Sequence, residues 1–282
     1  MKMDFFLEEG KQANPNCFTL ILPALSIGNV GQLAVDLLIS SLKAERIGYL
    51  DDPNVLPCVG NDAYTALPGG DLALPLEAYE SSSSGLTLVQ QRSPVIKGKM
   101  IEYAKNLANF ATANGKKHVI ILSSLDFGRW KSIDVSSGLQ IHYLSSSNMD
   151  GTDSDCKRFG WNRLQDYDPV QSTWKYLNEL AEEGSIPDEE FSFEELGDHD
   201  YYPSLPFAAL FSVFKAKGIK VTCLLCYCSE GDNIPEAFYL AEATSKLVGL
   251  SQNETDGGGA GKWTIPFSWQ SVYGPPADTT LF

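Results

Sequence analysis

The amino-acid sequence predicts an α/β protein, a three-layer sandwich with a mostly parallel central sheet and a hairpin insertion. Three observations carry that expectation. A continuous apolar run, residues 18–22, ends at Pro23, and Leu33, Leu37 and Leu38 then recur at helical spacing over residues 31–42. A second apolar run at 46–50 closes on Asp51, Asp52 and Pro53, so strand, helix and strand follow one another as in a βαβ unit with a parallel pair. Beyond Pro94, a helix is predicted from Ile96, Met100, Tyr103, Leu107 and Phe110, spaced four, three, four and three apart, with Gly115 just past its end.

The other elements follow in order. Residues 72–79 and 86–90 are strand runs joined by Ser81, Ser82, Ser83, Ser84 and Gly85, a hairpin connection that makes the insertion antiparallel. Residues 119–122 form a buried-type strand and 139–144 a weaker one. From 145 to 168 the chain turns polar, and Asp150, Asp153 and Asp155 mark a solvated loop. Val170, Trp174, Leu177 and Leu180 resume the helical period, and residues 182–200 gather carboxylates. Phe207, Leu210, Phe211 and Phe214 define a helix over 204–217, which Gly218 ends before a strand at 219–227; a last helix covers 235–248. Residues 256–261 are glycine-rich and flexible by composition. The chain therefore divides into one α/β domain at 1–255, a glycine-rich linker at 256–262, and an aromatic and proline-rich C-terminal tail at 263–282.

Composition narrows the function. The chain has 282 residues, 43% of them hydrophobic and 20% charged, which suits a packed core rather than disorder. Its 21 basic residues against 36 acidic ones leave a net charge of −15, which repels phosphate backbones and anionic lipid alike. Neither nucleic acid nor membrane is an expected partner. The longest apolar runs fall far short of the roughly eighteen residues a spanning helix needs, and Asp4, Glu8 and Glu9 stand where an export signal carries an apolar stretch. Cytoplasm and nucleus are the expected locations. Six scattered cysteines suit reduced thiols, and the glycosylation triplet beginning at Asn253 reads as chance.

No catalytic, metal or cofactor site is expected. Gly28 and Gly31 sit where strand turns into helix, and Asp51 follows Gly31 by twenty residues, where a dinucleotide-binding fold keeps its ribose-binding acid. The spacing lacks the tight first glycine pair, and a plain tight turn explains it equally; a nucleoside- or dinucleotide-binding enzyme is the alternative reading. Cys223, Cys226 and Cys228 fall on one strand, where alternation sets Cys223 against the other two, so they read as buried structural thiols. His118, His142 and His199 have no metal-binding spacing, and the loop from Asp150 lacks the glycine and glutamate of a calcium loop, with Asp155 and Trp161 in those places.

Residues 18–23, the run from Gly28 to Leu38 with Asp36, residues 47–50 and 57–64, Leu76 to Glu80, Gln90 to Pro94, and Trp269 with Tyr273 and Gly274 together resemble the proteasome assembly chaperone 2 family. The resemblance covers roughly residues 14–275 in order. It implies a non-enzymatic chaperone, without cofactors, that pairs with proteasome assembly chaperone 1. Such a pair helps the α subunits of the 20S proteasome form a ring and guards that ring against aberrant association. It also implies a fold resembling nucleoside phosphorylases without their catalytic groups. Related chaperones end in a hydrophobic residue, tyrosine and any residue, which dock between neighbouring α subunits; this chain ends Thr280, Leu281, Phe282, with leucine in the tyrosine position.

Trp263, Phe267 and Trp269 are too dense in large aromatics for a solvated tail, so they are expected to pack on the domain or on a partner. Pro275 and Pro276 make a stiff exit towards Leu281 and Phe282. Trp263, Phe267, Trp269, Tyr273, Leu281 and Phe282 are thus the expected partner-binding residues.

Overall fold

The computed structural model describes residues 2–65, 70–129, 138–182, 206–250 and 263–271. In chain order its elements are β1 (Asp4–Leu7), β2 (Thr19–Pro23), α1 (Val30–Ser41), β3 (Glu45–Asp51), β4 (Gly60–Asn61), β5 (Leu72–Ala73), β6 (Leu76–Ser81), β7 (Leu86–Gln91), α2 (Met100–Ala113) and β8 (His118–Asp126). They continue with β9 (His142–Ser145), α3 (Ser154–Arg158), β10 (Asn162–Arg163), α4 (Ser172–Ala181), α5 (Pro206–Ala216), β11 (Lys220–Cys228) and α6 (Ile234–Val248). The described strands build a large mixed sheet in the order β1-β3-β6-β7-β2-β8-β11-β9-β10, with β4 and β5 as a separate two-stranded flap. Its centre, β7, β2, β8 and β11, is parallel. The wing from β7 through β6 and β3 to β1 is antiparallel, as is the β11–β9 pair.

Side-chain alternation sorts the strands onto two cores. Leu20, Leu22, Val119, Ile121, Val221, Cys223 and Leu225 pack with Tyr103 and Leu107 of α2, Trp174 of α4 and Phe207, Phe211 and Phe214 of α5. Ile21, Ile120, Leu122, Leu224, Cys226 and Cys228 pack with α1 and α6. Cys223 therefore faces away from Cys226 and Cys228, as the alternation predicts. Each fully buried apolar side chain contributes roughly 1.5–3 kcal/mol, so layers on both faces stabilise the central strands. Gly31 lets α1 lie against β8, since a Cβ there would come within 2.2 Å of the Leu122 carbonyl oxygen.

Several elements differ from the sequence reading. The strand pair of the expected βαβ unit, β2 and β3, runs in one direction but is not adjacent: the β6–β7 hairpin lies between them, inside the sheet rather than beside it. The helix expected to start at Pro94 begins at Met100, because Gly98 takes a left-handed φ of 79° and the preceding residues turn back, with Lys99 N–H donating to the Ile96 carbonyl. β1 has no apolar period to announce it; pairing with β3 makes it a strand. The loop around Asp153 is not wholly solvated. Asp153 is buried, caps α3 through the Asp155 and Cys156 amides, accepts from Ser145 and Ser147, and lies 3.2 Å from Lys220 Nζ. The acidic stretch at 183–200 and the linker at 256–262 lie outside the described residues.

Candidate functional site

Of the residues expected to bind a partner, Tyr273, Leu281 and Phe282 lie outside the described residues. The other three sit on one segment, 263–271, folded against the domain. Trp269 is buried at 8% exposure, its ring edge-on to Phe238 of α6 at 6.3 Å, and Trp263 meets the same ring at 6.5 Å. Phe267, by contrast, is 39% exposed, and Ile265 beside it is also exposed. The segment is hydrogen-bonded at both ends: Thr264 N–H donates to Ser41 Oγ of α1 at 2.9 Å, and Ser268 N–H to the Ala63 carbonyl at 2.9 Å. Leu56, Val59 and Leu72 are exposed apolar residues of the β4–β5 flap and its approach. The outward side chains are thus those available for protein contact, while the two tryptophans hold the segment in place.

Beneath this region lies a buried charge cluster. Arg92, just past β7, donates from Nε to Glu77 at 2.7 Å and from Nη2 to Asp36 at 3.2 Å and to the Tyr64 hydroxyl at 3.1 Å. Tyr64 in turn donates its hydroxyl to Asp36 of α1 through a short hydrogen bond, and its ring lies under the Arg92 guanidinium. Glu77 also accepts from Arg46 at 3.1 Å, and Arg46 reaches on to Glu8, Asp71 and the Leu72 carbonyl. Burial alone would depress Arg92, but Asp36, Tyr64 and Glu77 outweigh it and hold its guanidinium above the ordinary arginine value. Burial, reinforced by Asp36, raises the Tyr64 phenol well above its usual range, so it remains a donor. Sequence reasoning missed this cluster as a unit, although Glu77 inside the strand-like run 76–79 was a readable signal: a charge at a buried strand position requires a partner.

The enzyme-like features are not assembled in the same way. Gly28 holds a φ of 65° in the turn before α1, and Asp51 ends β3, which pairs with β1. Three strand spacings, about 14 Å, separate β3 from β2, because the hairpin intervenes. The ribose-binding acid of a dinucleotide fold sits on the neighbouring strand. A cavity of about 420 Å³ opens at the carboxyl ends of β8 and β11, between Phe127, Leu139, His142, Tyr227 and Asn233. Burial lowers His142 to about 4 and raises the Cys228 thiol, leaving a neutral imidazole and a protonated sulfur. Among the described residues no group of three or more His, Cys, Asp or Glu could hold a metal ion, and no helix is long and apolar enough to cross a membrane.

Comparison with known proteins follows the same residues. Proteasome assembly chaperone 2 of Nematostella vectensis is 34% identical over 249 residues, 85% of this chain and 93% of that protein. The human protein of the same name is 32% identical over 275 residues, 94% and 95% of the two chains. Among solved structures, Pyrococcus furiosus PbaA, an archaeal homolog of proteasome-assembly chaperone, superposes with a TM-score of 0.58 over 89% of this chain and 83% of its own, at 17% identity, a likeness of fold. Pyrococcus furiosus PbaB, an archaeal proteasome activator, gives a TM-score of 0.54 over 89% and 90% at 14% identity. The PAC2 family model spans residues 20–256, taking in Asp36, Tyr64, Glu77 and Arg92 together, and this chain belongs to the PAC2 family.

Proposed function

We propose that this chain is a proteasome assembly chaperone that pairs with proteasome assembly chaperone 1, promotes formation of the 20S proteasome α ring and prevents its aberrant association. The observation that carries the reading is similarity to proteasome assembly chaperone 2 along nearly the whole of both chains. The geometry agrees with work by binding: Phe267, Ile265 and Val59 present apolar surface on segments held from beneath. The partner chaperone docks on that surface, and Leu281 and Phe282, beyond the prolines, reach the α ring. The chain needs no cofactor and turns over no substrate. It acts in cytoplasm and nucleus, and its kinship with nucleoside phosphorylases is one of fold, which structural superposition would test.

Co-expression with proteasome assembly chaperone 1 and α subunits tests the reading. A heterodimer burying more than about 1,600 Å² should sediment as one species, as permanent complexes do. Phe267→Asp should weaken it, while deletion of residues 280–282 should spare the heterodimer and weaken ring binding. A folded monomer indifferent to the partner chaperone at micromolar concentration would overturn the pairing. Turnover of a nucleoside or dinucleotide, abolished by replacing Asp51 with the fold intact, would overturn the non-enzymatic role.

A further inference from the structure

Three groups from three distant elements converge on one point: Asp36 on α1, Tyr64 in the loop after β4, and Arg92 after β7. A buried ion pair is a poor device for stability, since well-packed apolar residues of similar volume do as well or better. What a fully hydrogen-bonded charged group does supply is a single geometry, because a displaced loop leaves buried charges without partners. Here the geometry is passed on. Asp62 accepts from the Tyr64 N–H at 2.8 Å and fixes the local turn, and the neighbouring Ala63 carbonyl takes the Ser268 N–H. Helix α1 meets the C-terminal segment a second time, through Ser41 and Thr264. The same helix therefore sets both ends of residues 264–268, one directly and one through Asp36, Tyr64 and Ala63.

We infer that Asp36, Tyr64 and Arg92 are positioning residues for the C-terminal segment 263–271, holding Ile265 and Phe267 at a fixed place on the surface. They touch no partner themselves; they act through Ala63. The consequence for docking rests on the chaperone reading above, whereas the positioning is a property of the free chain.

Hydrogen exchange on the full-length free protein separates the two. Tyr64→Phe keeps the ring and removes the hydroxyl, and should speed exchange of the Ser268 and Trp269 amides roughly tenfold or more, the effect of losing a hydrogen bond to a charged group, while β8 and β11 amides hold their rates. Arg92→Met should do the same if it folds. The control is Lys116→Met, in a separate buried cluster where Lys116 meets Glu80, Thr87 and the Cys17 carbonyl. It should leave the exchange of 263–271 unchanged relative to the rest of the protein. Unaltered exchange at Ser268 and Trp269 in Tyr64→Phe, or equal acceleration by Lys116→Met, overturns the inference. Accelerated exchange with undiminished affinity for proteasome assembly chaperone 1 keeps the positioning role and removes this segment from the docking surface.

Discussion

Arg92 and Glu77 form a buried ion pair with Nε 2.7 Å from Oε2, and Glu77, at 1% exposure, uses its other oxygen to hold Arg46. One carboxylate thus bridges two guanidinium groups from two strand ends, whose remaining charge is met by Asp36 on Arg92 and by Glu8 and Asp71 on Arg46. Glu77→Gln keeps the shape but turns an N–H₂ towards one of those donors. Breaking such a pair costs about 3–5 kcal/mol, and the urea midpoint should drop accordingly with an unchanged m-value.

The close approach of α1 to β8 gives a second expectation. A Cβ at residue 31 would collide with main chain that cannot rotate away, so Gly31→Ala should destabilise by about 1–3 kcal/mol through overpacking. Gly60→Ala, whose Cβ would meet only the Ala73 Cβ at 3.9 Å, should change stability by less than about 0.5 kcal/mol. Thermal unfolding of the two variants side by side checks the contrast.

Stability should fall as the solution is acidified. Burial, helped for His118 by Lys220, lowers His118 and His142 from 6.5 to about 4. Between those values the unfolded chain takes up protons that the folded chain refuses. Stability is therefore full above pH 6.5 and declines towards about pH 4. Urea midpoints measured from about pH 7 to about pH 4.5 should show this slope, and His142→Gln should flatten it.

Thiol chemistry should single out one position. Cys17, Cys156, Cys223, Cys226 and Cys228 are buried and Cys58 is exposed. Burial pushes Cys156 up to about 12 and Cys223 well above its usual value, so neither offers thiolate at neutral pH. Mass spectrometry after brief alkylation of the native protein should find a single modification at Cys58; rapid labelling of Cys223 would contradict the burial described.

The legible parts of the fold were those decided locally. The periods of α2, α5 and α6 and the run of β11 depend on spacing alone; the structure places α5, α6 and β11 within two residues of expectation, and α2 keeps its period although it starts six residues later. Opposite faces for Cys223 and Cys226 follow from alternation, which no tertiary contact alters. The place of the hairpin was not legible, because strand adjacency is settled by which edges meet and not by either strand's composition. Of the candidate site, the aromatic density at 263–269 announced the packing of Trp263 and Trp269 on Phe238. The Asp36–Tyr64–Arg92 convergence did not announce itself: its members lie 28 residues apart at each step, and a carboxylate on an apolar helix face carries no mark of what it will meet.

The hydrogen-bond partners of β8 set the schedule on which this protein can complete itself. One neighbour, β2, is made about a hundred residues earlier; the other, β11, is finished about a hundred residues later. While the ribosome crosses that interval, which takes roughly 5–20 s at ordinary elongation rates, β8 stands as a bare apolar edge, with α1 and α2 already made but the α5 and α6 parts of its two covering layers still missing. Such an edge invites pairing with other chains. A nascent chain arrested before residue 219 should therefore be protease-sensitive and prone to association. One released after residue 248, with β11 and α6 in hand, should close the sheet and lose both properties.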